Sequence, residues 1–310
     1  MDRYGYHIYE RERDSVMARE DNGVLIAEGV RDFDLDNIFD CGQCFRWEKT
    51  ADGMYAGTAH GRVAVMEYDS DTGVLKIHGA DEDDYRNIWH HYLDLDRDYS
   101  EIKKQLSCKD EVIAKAIEYG PGIRILNQDK WETLISFIIS QNNNIPRIKK
   151  CINSLAETLG SRAGALAGKE FYDLPSPEVL AGASLDDLAP CRLGYRAKYL
   201  IDTAKMVAEE GIESLERLGT DEVSSDEAFD QLRRYTGVGP KVANCIALFS
   251  LGKMDRFPID VWVRKVMNRL YGMDEGDMKA MADFAAEHFG EYGGIAQQYL
   301  FYYITHNKNL

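Results

Sequence analysis

A lysine and an aspartate nineteen positions apart are the residues of this 310-residue sequence whose setting best suits catalysis. Lys241 follows a Gly-Val-Gly-Pro turn at residues 237–240, and a helical apolar pattern begins directly after it. The positive end of a helix dipole and partial desolvation disfavour an ammonium ion, so we expect an amine available for nucleophilic attack. Asp260 lies at the predicted start of another helix, where its carboxylate can stabilise developing positive charge. A solvated surface lysine and a simple capping aspartate are the common alternatives.

The segment around Lys241 predicts a helix-hairpin-helix motif at about residues 226–251. Gly237 and Gly239 permit left-handed backbone angles in a tight turn, and the N–H groups that open the second helix are free to hold a phosphate oxygen. Nucleotide-binding loops do not match, because Lys241 is followed by Val242 rather than Ser or Thr, and no third glycine stands there. A DNA backbone is therefore the better partner, with a glycine-capped helix connection as the alternative.

The remaining pattern indicates an α+β protein in which an N-terminal antiparallel β-sheet domain packs on a mostly α-helical domain. Turn signals separate short β-branched and aromatic runs that predict strands at residues 24–27, 45–47, 54–57, 62–68 and 74–78. Helical spacing begins at residue 81, and the chain beyond it is predicted to be almost wholly helical. Helices are expected at residues 130–142, 195–210, 226–235, 242–251, 261–270, 278–289 and 295–305. The Gly-Pro-Gly signal at residues 120–122 predicts domains 1–122 and 123–310.

Charge and composition restrict the class of protein. The formal net charge of −16 argues against nucleic acid at first sight, but most of the acidic excess lies in the front third. Residues 124–151 and 253–269 each hold five basic residues against two acidic ones, so local DNA contacts remain feasible. Neither a membrane-length apolar run nor a secretory signal is found, which predicts an intracellular protein of the cytoplasm or nucleoid. Six scattered cysteines predict neither disulfides nor a zinc site, and no metal or other cofactor is expected.

The G-x-G-x-K hairpin followed by a Pro-x-Asp turn resembles the helix-hairpin-helix glycosylase superfamily named for its Gly/Pro-rich loop and aspartate. Across nearly the whole chain the sequence is similar to the eukaryotic-type 8-oxoguanine DNA glycosylases. The resemblance implies a bifunctional glycosylase and AP lyase that flips a damaged base out of duplex DNA. In that role Lys241 is the nucleophile that forms a Schiff base, and Asp260 stabilises the cationic sugar.

The resemblance also implies a set of base-pocket residues. Residues 42–47 match the family's G-Q-x-F-R-W stretch, in which the glycine carbonyl accepts the N7–H that 8-oxoguanine has and guanine lacks. Gly42 is therefore the expected lesion reader. Cys245, one helical turn after Lys241, and Phe301 are the expected walls of the pocket. Gln297 is expected to bind the Watson–Crick edge of the base.

Two loop segments resemble the family's reader of the base opposite the lesion. Asn142 and Arg147 match residues that contact this unpaired cytosine, as does Arg196, while Tyr195 matches the wedge that fills the gap. Arginine and asparagine donors suit the O2 and N3 acceptors of cytosine, and an aromatic wedge offsets lost stacking. Taken one at a time, these residues would more commonly cap a helix, form a surface ion pair or pack in a core.

The sequence departs from the family at Trp262, where the eukaryotic enzymes usually carry histidine. No cysteine follows Cys245, so the iron–sulfur loop of other superfamily members is absent. The expected partner is duplex DNA containing 8-oxoguanine, bound by a monomer without a membrane. Two alternatives remain: a glycosylase of the same fold for another damaged base, and a non-catalytic DNA-binding module. Gly42 is the feature that distinguishes a reader of 8-oxoguanine from a glycosylase for another damaged base. Lys241 and Asp260 argue against a non-catalytic module.

Overall fold

The computed structural model of the protein describes residues 16–307. The first fifteen residues, on which the expectation of no secretory signal mainly rests, lie outside the described residues. Among the residues that are described, no helix is long and apolar enough to cross a membrane.

Six strands near the start of the chain form one antiparallel sheet in the order β1-β2-β6-β5-β4-β3. The strands are β1 (Met17–Asp21), β2 (Val24–Glu28), β3 (Trp47–Lys49), β4 (Tyr55–Ala59), β5 (Arg62–Asp69) and β6 (Val74–His78). Buried and half-buried residues alternate along β2 and β6, because successive side chains of a strand point to opposite faces. Together with the helices that follow, this sheet confirms the predicted α+β class.

Helices make up most of the rest of the described chain. They are α1 (Leu35–Phe39), α2 (Glu82–Asp84), α3 (His90–Tyr92), α4 (Tyr99–Lys109), α5 (Glu111–Tyr119), α6 (Lys130–Ser140), α7 (Ile145–Leu159), α8 (Pro177–Gly182), α9 (Arg196–Glu210), α10 (Glu213–Leu218), α11 (Ser225–Leu232), α12 (Pro240–Ser250), α13 (Val261–Tyr271), α14 (Met278–Phe289) and α15 (Gly293–His306). A π-helical segment, Tyr85–Trp89, joins α2 to α3, and 3-10 turns lie at Ala189–Cys191 and Gly290–Tyr292.

Beyond residue 81 the described chain is almost wholly helical, as predicted, but the prediction missed one hairpin. Strands β7 (Arg162–Leu166) and β8 (Lys169–Tyr172) form it. Its two turn residues, Ala167 and Gly168, both have positive φ, as a two-residue hairpin turn requires. Strand β1 was also missed, because it is an exposed edge strand that carries charges instead of an apolar alternation.

Several predicted element bounds shift by a few residues. The helix predicted at 130–142 ends at Ser140, because Gln141 is extended and Asn142 has a φ of +48°. The first hairpin helix ends at Leu232 rather than residue 235, and the second begins at Pro240, which suits a first helical turn.

Buried hydrophobic residues form one large cluster in the helical region, one under the sheet, and a small third one in which Ala56 and Val65 of the sheet meet Phe171 of β8. The buried faces of α4 and α5 belong to the helical cluster, although these helices precede residue 122. Gly122 itself packs on the sheet domain, since a Cβ there would lie 2.4 Å from Asp34 Cβ. The domain boundary at 122 stays a prediction, and the packing shows that the chain crosses between the two cores more than once.

Candidate active site

One cleft lies where the loop before β3 meets four helices, α6, α12, α13 and α15. Its walls bring together every residue predicted for catalysis or for the base pocket. The lining residues are Cys41, Gly42, Phe137, Lys241, Cys245, Phe249, Pro258, Asp260, Gln297, Gln298 and Phe301. The free volume of about 50 Å³ has room for a few water molecules but not for a purine.

Lys241 lies in the first turn of α12 and is half-buried at the edge of the cleft. Its Nζ lies 5.1 Å from the centroid of the Phe137 ring, within the range of a cation–π contact. No ion pair joins Lys241 to a carboxylate within the described part of the chain, although Asp260 lines the same cleft. The nitrogen is therefore held near the cleft without being neutralised by a salt bridge.

Cys245 lies one turn along α12 from Lys241 and is fully buried. Burial raises the pKa of its thiol to about 11, while the positive charge and a hydrogen bond of Lys241 act in the opposite direction. At neutral pH the Cys245 side chain is thus an apolar thiol that can pack on a flat ring.

Asp260 caps the N-terminus of α13. Its Oδ1 accepts hydrogen bonds from the backbone N–H groups of Trp262, at 2.9 Å, and Val263, at 2.8 Å. Both bonds are made to the same oxygen, so the capping role occupies only one side of the carboxylate. Capping and a place in the cleft are compatible for this residue.

The turn between α11 and α12 needs glycine at one of its two predicted positions. Gly237 has a φ of +84°, and a Cβ there would lie 2.7 Å from the ring of Tyr199. Gly239 has a φ of −85° and caps α12 in an extended conformation that any residue adopts. The expectation of a left-handed Gly239 is therefore wrong. A Cβ on Gly239 would contact nothing within 4 Å, so the surface over the first α12 amides is open.

Gly42 lies opposite Phe301 across the cleft. Its φ is +78°, a conformation that side-chain-bearing residues rarely adopt, and a Cβ there would lie 3.2 Å from Phe301 Cε1. The same Cβ would lie 3.8 Å from Ile145 Cδ1, at the start of α7. Glycine at this position thus satisfies the backbone angle and leaves the cleft open.

Two glutamines that the sequence analysis did not single out hold the Gly42 loop in place. The fully buried Gln43 side chain donates to the carbonyls of Ile38, at 3.0 Å, and Arg124, at 2.8 Å, and it accepts from the N–H of Leu126 at 2.9 Å. Gln298 donates to the carbonyl of Cys41. Gln43 is the glutamine of the G-Q-x-F-R-W stretch, so the sequence could have indicated its importance. No pattern in the residues around Gln298 indicates its role.

Gln297 presents an unsatisfied acceptor to the cleft. Its side chain is 4% exposed, and its Oε1 has no hydrogen-bond partner among the described residues. Leaving a buried polar atom unpaired costs about 1–3 kcal/mol. A ligand that donates a hydrogen bond here would remove that cost.

The residues predicted to read the opposite base lie on loops at the ends of α6, α7 and α9. Asn142 and Arg147 are exposed, and the Arg147 side chain has no hydrogen bond or ion pair among residues 16–307. Tyr195 is 51% exposed and stacks edge-on against Tyr199 at 5.5 Å. These three side chains are accessible to a large partner.

Arg196 differs from its neighbours because it is only 4% exposed. Its guanidinium donates to the carbonyls of Gln141, Asn142 and Leu193, so it joins the two loops. A contact between Arg196 and a base would require one of these bonds to be exchanged.

Comparison with known proteins gives two adjacent family matches that together span most of the chain. Residues 25–134 match the model described as the N-terminal domain of 8-oxoguanine DNA glycosylase. Residues 135–289 match the model of HhH-GPD superfamily base excision DNA repair proteins.

Similar proteins and structures cover nearly the full length. The chain is 32% identical to N-glycosylase/DNA lyase OGG1 of Arabidopsis thaliana, over 86% of this chain and 76% of that protein. It is 29% identical to a probable N-glycosylase/DNA lyase of Methanothermobacter thermautotrophicus, over 88% and 93% of the two chains. The 8-oxoguanine glycosylase/lyase of Clostridium acetobutylicum, solved with duplex DNA carrying cytosine opposite 8-oxoguanine, superposes with a TM-score of 0.89. That structure is 41% identical and covers 96% of this chain and 100% of its own.

Proposed function

The chain belongs to the 8-oxoguanine DNA glycosylase family of the HhH-GPD base excision repair superfamily, and from this premise we propose that it excises 8-oxoguanine opposite cytosine from duplex DNA through a Lys241 Schiff base. Its membership makes it a DNA N-glycosylase with AP lyase activity. The observation that carries the proposal is the convergence of Lys241, Asp260, Gly42 and Gln297 on one cleft. We further propose that it acts as a monomer inside the cell.

Lys241 supplies the nucleophile. In its neutral form, Nζ attacks C1′ of the flipped nucleotide while the N-glycosidic bond breaks, and the departing base takes up a proton. Opening of the sugar ring gives an iminium ion between Nζ and C1′. Loss of a C2′ proton then expels the 3′ phosphate and cuts the strand on the 3′ side of the lesion. Release of the lysine by water completes the reaction.

Asp260 stabilises the positive charge that develops on the sugar. Its Oδ1 remains engaged with the first amides of α13, which fixes the orientation of the carboxylate. A preoriented charge in a cleft that excludes water acts more strongly than one in solution. The same carboxylate can accept a proton from Lys241 before attack.

The base pocket distinguishes 8-oxoguanine from guanine by the hydrogen atom on N7. The Gly42 carbonyl accepts the N7–H of the lesion, whereas guanine would place a lone pair against it. Gln297 Oε1, which is buried and unpaired, accepts from the N–H groups of the Watson–Crick edge. Cys245 and Phe301 enclose the two faces of the ring. Because the free volume of about 50 Å³ is too small for a purine, the cleft must widen when the base enters.

The opposite base is read by the exposed loop residues. Asn142 and Arg147 donate to the acceptors of cytosine, and Tyr195 fills the space left by the flipped base. Arg196 supports these loops through its carbonyl bonds and contacts the same cytosine if one bond is exchanged.

Borohydride trapping tests the proposal. Wild-type protein incubated with a duplex holding 8-oxoguanine opposite cytosine should give a covalent adduct on reduction of the iminium ion. Lys241→Gln should bind the same duplex and give no adduct, with excision slower by roughly 10⁴-fold or more. Lys279→Gln, at an exposed position of α14, is the matched control and should trap like the wild type.

A panel of substrates separates the alternatives. Trapping with another damaged base and none with 8-oxoguanine would indicate a glycosylase of the same fold with a different lesion. Duplex binding without trapping on any lesion would indicate a non-catalytic DNA-binding module. Undiminished trapping by Lys241→Gln would overturn the assignment of the nucleophile.

A further inference from the structure

One tryptophan of this protein is exposed, and it lies two residues after Asp260. Of the four tryptophans, Trp47 and Trp89 are 0% exposed and Trp131 is 7% exposed, whereas Trp262 is 40% exposed. Its neighbour Val261 is also 47% exposed. These two residues directly follow Asp260, which lines the cleft, and contiguous exposed apolar surface commonly marks a binding site.

The ring of Trp262 is paired with a cation. Lys265 Nζ lies 4.3 Å from the ring centroid, and these residues share one face of α13 because they are three positions apart. Within the described chain, Lys265 makes no ion pair with a carboxylate. The pair therefore offers an aromatic surface and an uncompensated positive charge side by side.

The opposite face of α13 fixes this pair in position. Val263, Val266 and Met267 are buried in the helical core, so Trp262 and Lys265 point outward. The Trp262 N–H donates to Asp260 Oδ1, which ties the start of the exposed face to the carboxylate of the cleft. Any DNA whose sugar reaches Asp260 must pass close to this face.

We infer that Trp262 and Lys265 hold the strand that carries the lesion, at the nucleotide next to the flipped one. The Trp262 ring packs on the sugar or base of that nucleotide, and Lys265 pairs with its phosphate. Single nucleic-acid strands are commonly held in this way, by an aromatic surface together with a nearby cation. The inference rests on the proposed function, because it takes the DNA in the cleft as given.

Intrinsic fluorescence provides a direct test, because the other three tryptophans are buried. In Lys241→Gln protein, which cannot turn over substrate, a duplex with 8-oxoguanine opposite cytosine should protect the exposed tryptophan from acrylamide quenching. The added substitution Trp262→Phe should abolish this DNA-dependent change while the anisotropy of labelled duplex still reports binding. Unchanged acrylamide quenching in a complex that anisotropy shows to be formed would overturn the inference.

Binding and chemistry should separate in variants with an intact Lys241. Trp262→Ala should weaken lesion-duplex binding by about tenfold, as expected for loss of one stacked contact, and change the dissociation constant more than the single-turnover rate at saturating protein. Trp262→Phe should restore most of the affinity. Equal affinity of Trp262→Ala and wild type would contradict the contact, and unchanged thermal unfolding would exclude misfolding as the cause of a loss.

The contribution of Lys265 should appear as salt dependence. Lys265→Gln should reduce the magnitude of the slope of log affinity against log salt by about 1, as expected for the loss of one phosphate contact. Lys279→Gln should leave this slope unchanged. An unaltered slope for Lys265→Gln would contradict the phosphate contact proposed for Lys265. If wild-type protein neither binds nor excises the lesion, the proposed function fails; if it does both and the variants match it, only this inference fails.

Discussion

At the base cleft, the groups that would meet a flipped base are held by the protein itself. Gln43 and Gln298 fix the Gly42 loop, and Asp260 is locked by two amides. At the loops predicted to face the opposite base, the side chains of Asn142, Arg147 and Tyr195 are exposed. The groups of the cleft are therefore fixed before DNA binds, whereas we expect the exposed loop side chains to take up their final arrangement on DNA.

This difference predicts two kinds of variant. Substitutions in the cleft should act on the rate of the chemical step, since geometry and charge there exist before DNA binds. Substitutions on the loops should leave the fold and the chemistry nearly intact and change the choice of opposite base.

Asp260→Asn should show the largest loss of excision rate among these variants. A small loss would contradict the view that the cleft acts on the chemical step. Asparagine can still accept the bonds from the first amides of α13, so capping is largely kept while the charge is lost. Excision should slow by about a hundredfold or more, measured in single turnover on 8-oxoguanine opposite cytosine. The melting temperature serves as the control. A wild-type rate in the folded variant would leave Asp260 with the capping role alone.

Arg147→Ala should act on selectivity. A hydrogen bond from a charged donor is worth about 1.5–3 kcal/mol, so the preference for 8-oxoguanine opposite cytosine over adenine should shrink about tenfold or more. Because the side chain is exposed and makes no bond in the described structure, stability should change by less than about 0.5 kcal/mol. Single-turnover rates opposite each of the four bases measure the effect. Equal wild-type rates opposite cytosine and adenine would contradict a reading role for these loops.

Substitutions at the two hairpin glycines should have the smallest effects, and they should separate fold stability from duplex binding. Gly237→Ala should destabilise the fold by about 1–2 kcal/mol, because its left-handed angle disfavours a Cβ and Tyr199 occupies the space. Gly239→Ala should change stability by less than about 0.5 kcal/mol, because a Cβ there contacts nothing within 4 Å, yet it should weaken duplex binding, because the methyl group adds bulk to the open surface at the start of α12. Chemical unfolding and duplex anisotropy measure the two effects. Full duplex affinity in Gly239→Ala would argue against a phosphate at this helix start.

Much of this arrangement could be predicted from sequence because it is encoded locally. The apolar spacing of α6, the glycine spacing of the hairpin and the Pro-x-Asp turn each lie within a dozen residues. The G-Q-x-F-R-W stretch predicts Gly42 as the lesion reader, and Gly42 does line the cleft, but the stretch does not predict how its loop is held. Gln43 bonds a carbonyl 81 positions away, and such long-range contacts leave no periodic trace.

Two features left no signal in the sequence for physical reasons. The burial of Arg196 depends on three backbone carbonyls that satisfy its guanidinium donors, and nothing in the residues next to it indicates them. The β7–β8 hairpin was missed because its strands are short and mostly not fully buried, which weakens the alternation that indicates a sheet.

The buried Cys245 thiol has a consequence for chemical durability. Peroxides attack the thiolate, and burial raises the pKa of the Cys245 thiol to about 11, so the thiol form dominates at pH 7. The exposed Cys108, on α4, is accessible to the same oxidants. A peroxide dose that converts Cys108 to a sulfenic acid should therefore leave Cys245, the proposed wall of the base pocket, reduced, so we expect the cleft to stay intact under the same oxidising conditions that damage guanine.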